Sequence, residues 1–152
     1  MEIAIRRRAG ITGVLLLLCA VTMLFSALTS AMLVRRGLGE DWAGFAPPPL
    51  IWWNTAAIAA SSLALALGRR GWAIGLGCLF AIGQMALWRA LGVSLAASPA
   101  AAFFYVFTAL HAAHVACGIP ALARWGGPAS RIYWHFLTGL WVYLLVLVLT
   151  LC

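Results

Sequence analysis

Histidines are the residues of this sequence best able to do chemistry inside its long apolar segments. His111 and His114 lie three positions apart in FFYVFTALHAAHVACGIPALA, and His135 follows in the next apolar run. Residues three apart share one face of a helix. Because imidazole is the usual axial ligand of haem, one hypothesis is a stand-alone membrane cytochrome b in which these three histidines hold haem.

The depths of the histidines favour a different interpretation. His111 and His114 fall near the middle of their apolar segment, whereas His135 lies only about one helical turn into the next. An ionisable group at bilayer depth costs several kcal/mol when it is unpaired, so it should face other helices. We therefore expect the histidines to bond neighbouring helices or lipid headgroups.

The other polar candidates inside apolar segments are Asn54, Gln84 and Trp134. The two amides are expected to form interhelical hydrogen bonds, each worth about 1 kcal/mol or less. Trp134 is one of several tryptophans near predicted segment ends, where the ring suits the headgroup region. The four cysteines show no CxxC pairing and are expected to be small core residues. The sequence thus predicts no catalytic residue, cofactor ligand or metal ligand.

The composition is that of an integral membrane protein. Of its 152 residues, 65% are hydrophobic and 9% are charged. The net charge of +7 comes from arginines clustered between apolar runs, so it indicates membrane topology and no nucleic-acid partner. The acidic residues are only Glu2, Glu40 and Asp41, outside the apolar segments. A small transporter is disfavoured, because such folds usually carry intramembrane acids and broken half-helices.

Five segments have the length of a membrane-spanning helix, which takes roughly 20 apolar residues. They are about 11–35, 50–68, 72–92, 100–123 and 132–152, and they predict a single all-α transmembrane domain over residues 1–152. The GRRG turn makes the second and third segments antiparallel neighbours. Seven arginines fall on the N-terminal side of the membrane and three on the other, which predicts a cytoplasmic N-terminus and an external C-terminus.

Several motifs, in order along nearly the whole chain, resemble the subunit III family of haem-copper oxidases. PPPLIWWNTAAIAASSLALALG is similar to the family's proline-rich lead with an N-T pair and a later S-S, and GLGCLFAIGQMALW to its glycine-rich stretch ending in glutamine. FFYVFTALHAAHVACG resembles F-F-x-x-T-G-x-H-G-x-H-V-x-x-G, and YWHFLTGLWVYLL resembles Y-W-H-F-V-D-x-x-W-x-F-L. Five spans match the shorter bacterial members, which lack the first two helices of the longer forms.

The sequence departs from the family at its acidic positions. Val21 or Thr22 stands near the place of one family glutamate, and Leu87 replaces another. Ala109 replaces a family glycine, and the aspartate of the last motif is lost near Thr138. A role in feeding protons through those acids is therefore not expected here.

The resemblance implies a non-catalytic accessory subunit of a terminal oxidase in aerobic respiration. It implies two helix groups, the first two spans set apart from the last three by a V-shaped cleft that holds phospholipid. The partner would be the catalytic subunit, which carries the haems and copper, with other oxidase subunits, in a bacterial cytoplasmic membrane. An equivalent subunit of a nitric oxide reductase is the alternative within the same fold.

Overall fold

The computed structural model describes the backbone of residues 2–151 and the side chains of residues 9–151. This part of the chain is all-helical and contains no strand, with five helices in the order α1 (Glu2–Leu38), α2 (Leu50–Ala66), α3 (Arg70–Leu91), α4 (Pro99–Arg124) and α5 (Pro128–Leu151). The prediction of five helices is confirmed. The expected end of the last span, Cys152, lies outside the described residues.

Four of the helices are long and apolar enough to cross a membrane, namely α1, α3, α4 and α5. The remaining helix, α2, has 17 residues. At 1.5 Å per residue it is about 25 Å long, somewhat less than the roughly 30 Å of a hydrocarbon core. The chain is thus a multi-pass membrane protein.

Proline and glycine set the helix boundaries, as the sequence predicts. Pro49 precedes α2, and Pro99 opens α4 behind Ser98, whose hydroxyl accepts a hydrogen bond from the Ala101 amide at 3.2 Å. Gly92 ends α3 with φ of 65°, the left-handed conformation that glycine adopts without steric cost. These short breaks leave little backbone outside the helices.

The helices do not form the expected two-plus-three groups. Helix α2 packs most extensively on α3 and also contacts α5, while α1, in the part that the structure describes, contacts only α4 and α5. The reason is the length of the connections. Only residues 67–69 join α2 to α3, which forces those two helices together, whereas residues 39–49 are long enough to carry α1 to the far side of the bundle. Helices α4 and α5 therefore lie at the centre, between α1 and the α2–α3 pair.

Contacts between loops show which connections share a side of the bundle. The Trp42 indole, in the α1–α2 loop, donates to the Leu151 carbonyl at 3.0 Å, so that loop meets the end of α5. The Arg70 guanidinium lies against Gly126, which brings the α2–α3 turn beside the α4–α5 turn. The five helices thus alternate in direction, as the predicted topology requires.

Helix α1 is attached to the bundle through one narrow seam. The apolar side chains of α1 that belong to the core or pack against it are spaced alternately four and three residues apart, which is the seam of a coiled coil: Val14, Leu18, Val21, Phe25, Leu28 and Met32. In its most apolar stretch only 11% of the residues are buried. Most of the α1 surface is therefore free to face lipid or another protein.

The expectation that the cysteines are core residues is wrong for two of them. Cys19 and Cys117 are exposed, and Cys78 is partly buried. Cys152 lies outside the described residues. In a membrane protein an apolar side chain gains nothing by leaving the lipid, because the tails are as apolar as the core, so small apolar residues need not face inward.

Candidate functional site

Polar side chains inside the bundle lie mainly between α2 and α3, between α2 and α5, and between α4 and α5. Asn54 and Gln84, both buried, face each other across α2 and α3, with Asn54 Nδ2 donating to Gln84 Oε1 at 3.3 Å. Rotated by 180°, the Asn54 amide would instead donate to the Phe80 carbonyl at 3.3 Å. Gly83 leaves the space that this carboxamide occupies. The two amides join α2 to α3.

His111 is fully buried between α3, α4 and α5. Its Nε2 lies 2.9 Å from the Leu137 carbonyl oxygen of α5. Because a carbonyl only accepts, this nitrogen carries the proton. The ring packs against Phe80 and Trp141, with centroid distances of 5.5 and 5.1 Å. Bonded on one edge and enclosed by aromatic rings, His111 joins α4 to α5.

His114 is only partly buried, although it shares a helix with His111. Its Nδ1 donates to the carbonyl of Leu110 on its own helix at 2.7 Å. The ring also lies near Phe25 of α1, with centroids 6.1 Å apart. The hydrogen bond across helices at this position comes from Tyr133, whose hydroxyl donates to the His114 carbonyl at 3.1 Å.

Trp134 and His135 both contact the Ser61–Ser62 pair of α2, but in different environments. The Trp134 indole is fully buried and donates to Ser61 Oγ at 3.0 Å, which in turn donates to the Ala73 carbonyl at 2.6 Å. Trp134 therefore packs inside the bundle, where the Ser61 hydroxyl accepts its hydrogen bond, and its level near the headgroups stays a prediction. His135 is exposed, with Nδ1 2.6 Å from Ser62 Oγ.

Two further interhelical bonds were not singled out from the sequence. The Trp141 indole of α5 donates to Thr55 Oγ1 of α2 at 2.9 Å, and the Trp88 indole of α3 donates to Thr108 Oγ1 of α4 at 2.9 Å. A tryptophan away from a span end, as Trp141 is, is a signal that would have found the first of them. Both follow the rule that a buried indole N–H finds an acceptor.

The arrangement joins helices and gathers no set of ligands. Within the described residues, no group of three or more His, Cys, Asp or Glu side chains could hold a metal ion. One ring nitrogen of each histidine lies within hydrogen-bond distance of a protein atom. The structure does not bring the three histidines into one cluster: His111 is buried, His114 borders α1, and His135 is exposed near the α2–α5 contact.

A groove of about 470 Å³ runs beside this polar interior, between the first half of α1 and the α4–α5 turn. Its walls are small or apolar, and Trp125 stands at one end: Gly10, Ile11, Val14, Leu17, Cys117, Ala121, Trp125, Gly127, Pro128, Ala129, Ser130 and Tyr133. Arg124 precedes Trp125 in the chain, and the Arg70 guanidinium lies against the neighbouring Gly126. The groove thus has apolar walls, and two arginines neighbour its lining residues, Arg124 along the chain and Arg70 through its contact with Gly126.

Two comparisons with known proteins bear on the identity of the chain. It is 28% identical to "Cytochrome c oxidase subunit 3" of Thermostichus vulcanus, over 90% of this chain and 85% of the relative. It is 26% identical to "Cytochrome c oxidase subunit 3" of Synechocystis sp., over 90% of this chain and 73% of the relative. The chain is similar to cytochrome c oxidase subunit 3. These matches support the subunit III family that the motifs predicted, and each extends over 90% of the chain.

No protein-family model matches the chain. The relationship to cytochrome c oxidase subunit 3 therefore rests on the two relatives and on the motifs. Two of those motifs carry the interhelical contacts described above: His111 and His114 come from the fourth-span motif, and Trp134 and His135 from the last. The residues that resemble the family thus lie where the helices meet.

Proposed function

We propose that this chain is a non-catalytic accessory subunit of a haem-copper terminal oxidase in aerobic respiration. The observation that carries the proposal is the similarity to two proteins named cytochrome c oxidase subunit 3, which extends over 90% of the chain. In this role the chain packs against the catalytic subunit, which holds the haems and copper, and forms a complex with the other oxidase subunits.

The polar interior supports a structural role. Asn54 and Gln84 bond to each other, His111 bonds the α5 backbone and Trp134 bonds Ser61, so these side chains are used in holding helices together. The exposed surface of α1 supports docking on a partner, since its apolar residues contact little of this chain: Leu15, Leu16, Leu17, Met23, Leu24, Leu33 and Val34.

Binding of a structural phospholipid is the second part of the proposal. The groove between α1, α4 and α5 has an apolar wall for an acyl chain, and Arg124 and Arg70 lie near the end at which Trp125 stands. Lipid headgroups and tryptophan rings occupy the same depth of a membrane. A phospholipid with its phosphate near Arg124 and one chain along α1 fits this shape and charge.

The lipid site is tested by filling the groove. Ala121→Phe places a ring in it, while Ala113→Phe, on the exposed side of the same helix, serves as the control. The Ala121→Phe subunit should copurify with less phospholipid per complex by mass spectrometry than the Ala113→Phe subunit. Equal lipid content in both variants would contradict the site and leave the subunit assignment intact.

The subunit assignment is tested by purifying the tagged chain in mild detergent from a bacterial cytoplasmic membrane. We expect it to copurify with a haem-bearing catalytic subunit and, once separated, to show no Soret absorption. A catalytic partner that reduces nitric oxide would favour the alternative subunit. A haem spectrum from the isolated chain that is lost in His114→Ala would instead establish a membrane cytochrome b.

A further inference from the structure

Two buried polar atoms at the centre of the bundle have complementary hydrogen-bonding needs. Gln84 Nε2 and His111 Nδ1 are both enclosed, on residues 1% and 0% exposed, and neither has a protein partner. The Gln84 nitrogen is a donor. Since His111 Nε2 carries the ring proton toward the Leu137 carbonyl, Nδ1 of the neutral ring is an acceptor. A buried hydrogen-bond donor and a buried hydrogen-bond acceptor are therefore both left without a protein partner.

The contacts between α3 and α4 place these two residues at the same depth. Trp88 bonds Thr108, and Phe80 packs on His111, so the residue numbers rise in opposite directions and the helices are antiparallel. Gln84 lies four residues before Trp88, about 6 Å along α3, and His111 lies three residues after Thr108, about 4.5 Å along α4. Both residues therefore lie about one helical turn from the Trp88–Thr108 bond, in the direction of the start of α3 and the end of α4.

We propose that one buried water molecule binds between Gln84 and His111. It accepts a hydrogen bond from Gln84 Nε2 and donates one to His111 Nδ1, which gives it two polar partners inside the protein, as buried waters require. A buried amide or imidazole nitrogen left unpaired would cost the full desolvation of that group. The site does not depend on which partner complex the chain joins.

The water completes a chain of hydrogen bonds that crosses four helices at one depth. With the Asn54 amide in the orientation that donates to Gln84, Asn54 of α2 donates to Gln84 of α3, Gln84 donates to the water, the water donates to His111 of α4, and His111 donates to the Leu137 carbonyl of α5. Rotated by 180°, Asn54 bonds the α3 backbone at Phe80 and Gln84 instead, and the chain begins at the Gln84 side chain. Every bond has the same direction, so each polarises the next. In this chain a bound water and two amides hold together the interior of a bundle whose apolar segments contain no carboxylate.

The test uses two substitutions of His111, each of which keeps the hydrogen bonding of one ring nitrogen and removes that of the other. His111→Asn keeps an amide atom near the position of Nδ1 and loses the bond to Leu137, whereas His111→Gln reaches Leu137 and loses Nδ1. Gln84→Met removes the donor with little change in volume. The folded-to-unfolded ratio of the purified protein is measured by denaturant titration in detergent micelles.

We expect Gln84→Met to reduce the folded-to-unfolded ratio about threefold to tenfold in the wild-type and His111→Asn backgrounds. In the His111→Gln background the reduction should be smaller, because the water has already lost its acceptor and only the bond from Asn54 to Gln84 Oε1 remains to be broken. The control Ser61→Ala, which breaks the separate bond from Trp134, should reduce the ratio by the same factor whichever residue stands at 111. An equal effect of Gln84→Met in all backgrounds would overturn the proposal.

A density map of the wild-type complex that resolves water shows directly whether a water molecule lies between Gln84 and His111. This test does not depend on any variant folding. A peak within about 2.7–3.2 Å of both Gln84 Nε2 and His111 Nδ1 supports the site. A direct contact between the two side chains, or no peak between them, would overturn the bound water even if the substitutions are coupled.

Discussion

At the residue scale, two glycines of this protein let the Trp134 ring lie directly against helix backbones. Gly77 of α3 and Gly118 of α4 flank the ring, and a Cβ at Gly77 would lie only 2.6 Å from ring atom Cζ2. Trp134 is fully buried and held by Ser61, so it cannot move aside without losing a hydrogen bond. The close approach of the helices here depends on the missing side chain.

We expect Gly77→Ala to destabilise the bundle by about 1–3 kcal/mol, the usual cost of overpacking a filled core. Gly75→Ala, on the same helix, is the matched control, since nothing lies within 4 Å of its position. Alanine has the higher helix propensity, so this control should be neutral or slightly stabilising. Unfolding in detergent measures both, and equal stability of the two variants would show that the ring has room to move.

The Arg35–Asp41 pair is a second feature at this scale, at the end of α1. Arg35 donates to both carboxylate oxygens of Asp41 at 2.7 Å, and this hydrogen bonding lowers the pKa of the Asp41 carboxyl. A group whose folded pKa is depressed contributes stability above its unfolded pKa, about 3.9 for aspartate, and loses it as the pH falls through the folded pKa. The contact should thus persist at neutral pH and break in acid.

Arg35→Gln should raise the pKa of Asp41 toward its ordinary range, as followed by the carboxyl carbon resonance in an NMR titration. Arg36→Gln removes a neighbouring charge that makes no ion pair with Asp41, so it should leave this titration nearly unchanged. Because both partners of the pair are largely exposed, we expect the effect on stability to be small. An unchanged titration in Arg35→Gln would mean that another group lowers the pKa.

At the scale of the element, α1 differs from the other helices in how it is held. Its seam of alternating four- and three-residue spacing touches α4 and α5, and one hydrogen bond, between Thr29 Oγ1 and the Tyr143 hydroxyl at 2.7 Å, supplements it. In lipid this attachment depends on packing, since lipid tails solvate leucine as well as a protein core does. The seam is therefore the part of α1 most sensitive to substitution.

Phe25→Ala should weaken the attachment of α1, because Phe25 is 1% exposed and stacks on Phe107 with centroids 6.1 Å apart. Its neighbour Leu24, 42% exposed, provides the control Leu24→Ala. We expect Phe25→Ala to cost at least about 1 kcal/mol more than the control, less than the 3–5 kcal/mol typical of a soluble core. Proteolysis in the α1–α2 loop reports the attachment, and equal cleavage of both variants would contradict the seam.

At the scale of the whole molecule, the contacts between loops fix which connections share a side but not which side faces the cytoplasm. The α1–α2 loop meets the end of α5, and the α2–α3 turn lies beside the α4–α5 turn. The arginine distribution assigns the two turns to the cytoplasm and the α1–α2 loop to the outside. We propose this orientation on the strength of that distribution.

Single cysteines introduced on each side test the orientation. In intact cells a membrane-impermeant maleimide should label Ala43→Cys, in the α1–α2 loop, and leave Gly127→Cys, in the α4–α5 turn, unlabelled until the membrane is opened. All four natural cysteines, Cys19, Cys78, Cys117 and Cys152, are replaced by alanine in the background, so that only the introduced cysteine can react. Labelling of Gly127→Cys alone in intact cells would reverse the proposed topology.

The sequence by itself determined the number of helices and their approximate ends, and its motifs predicted the family that the comparisons support. Long apolar runs broken by proline and glycine leave few alternatives in a membrane, because every backbone amide must be bonded within its own helix. The tight connection between α2 and α3 was also enough to predict their pairing. These features depend on local composition and connection length, which can be read directly from the chain.

Only the tertiary structure decided which helices meet and where each polar side chain finds its partner. Periodicity gives little guidance in a membrane, because lipid and protein are equally good surroundings for an apolar residue. The place of Trp134 inside the bundle, the separation of α1 from α2 and the different environments of His111 and His114 therefore depend on packing between distant segments. A one-dimensional pattern could not fix those contacts.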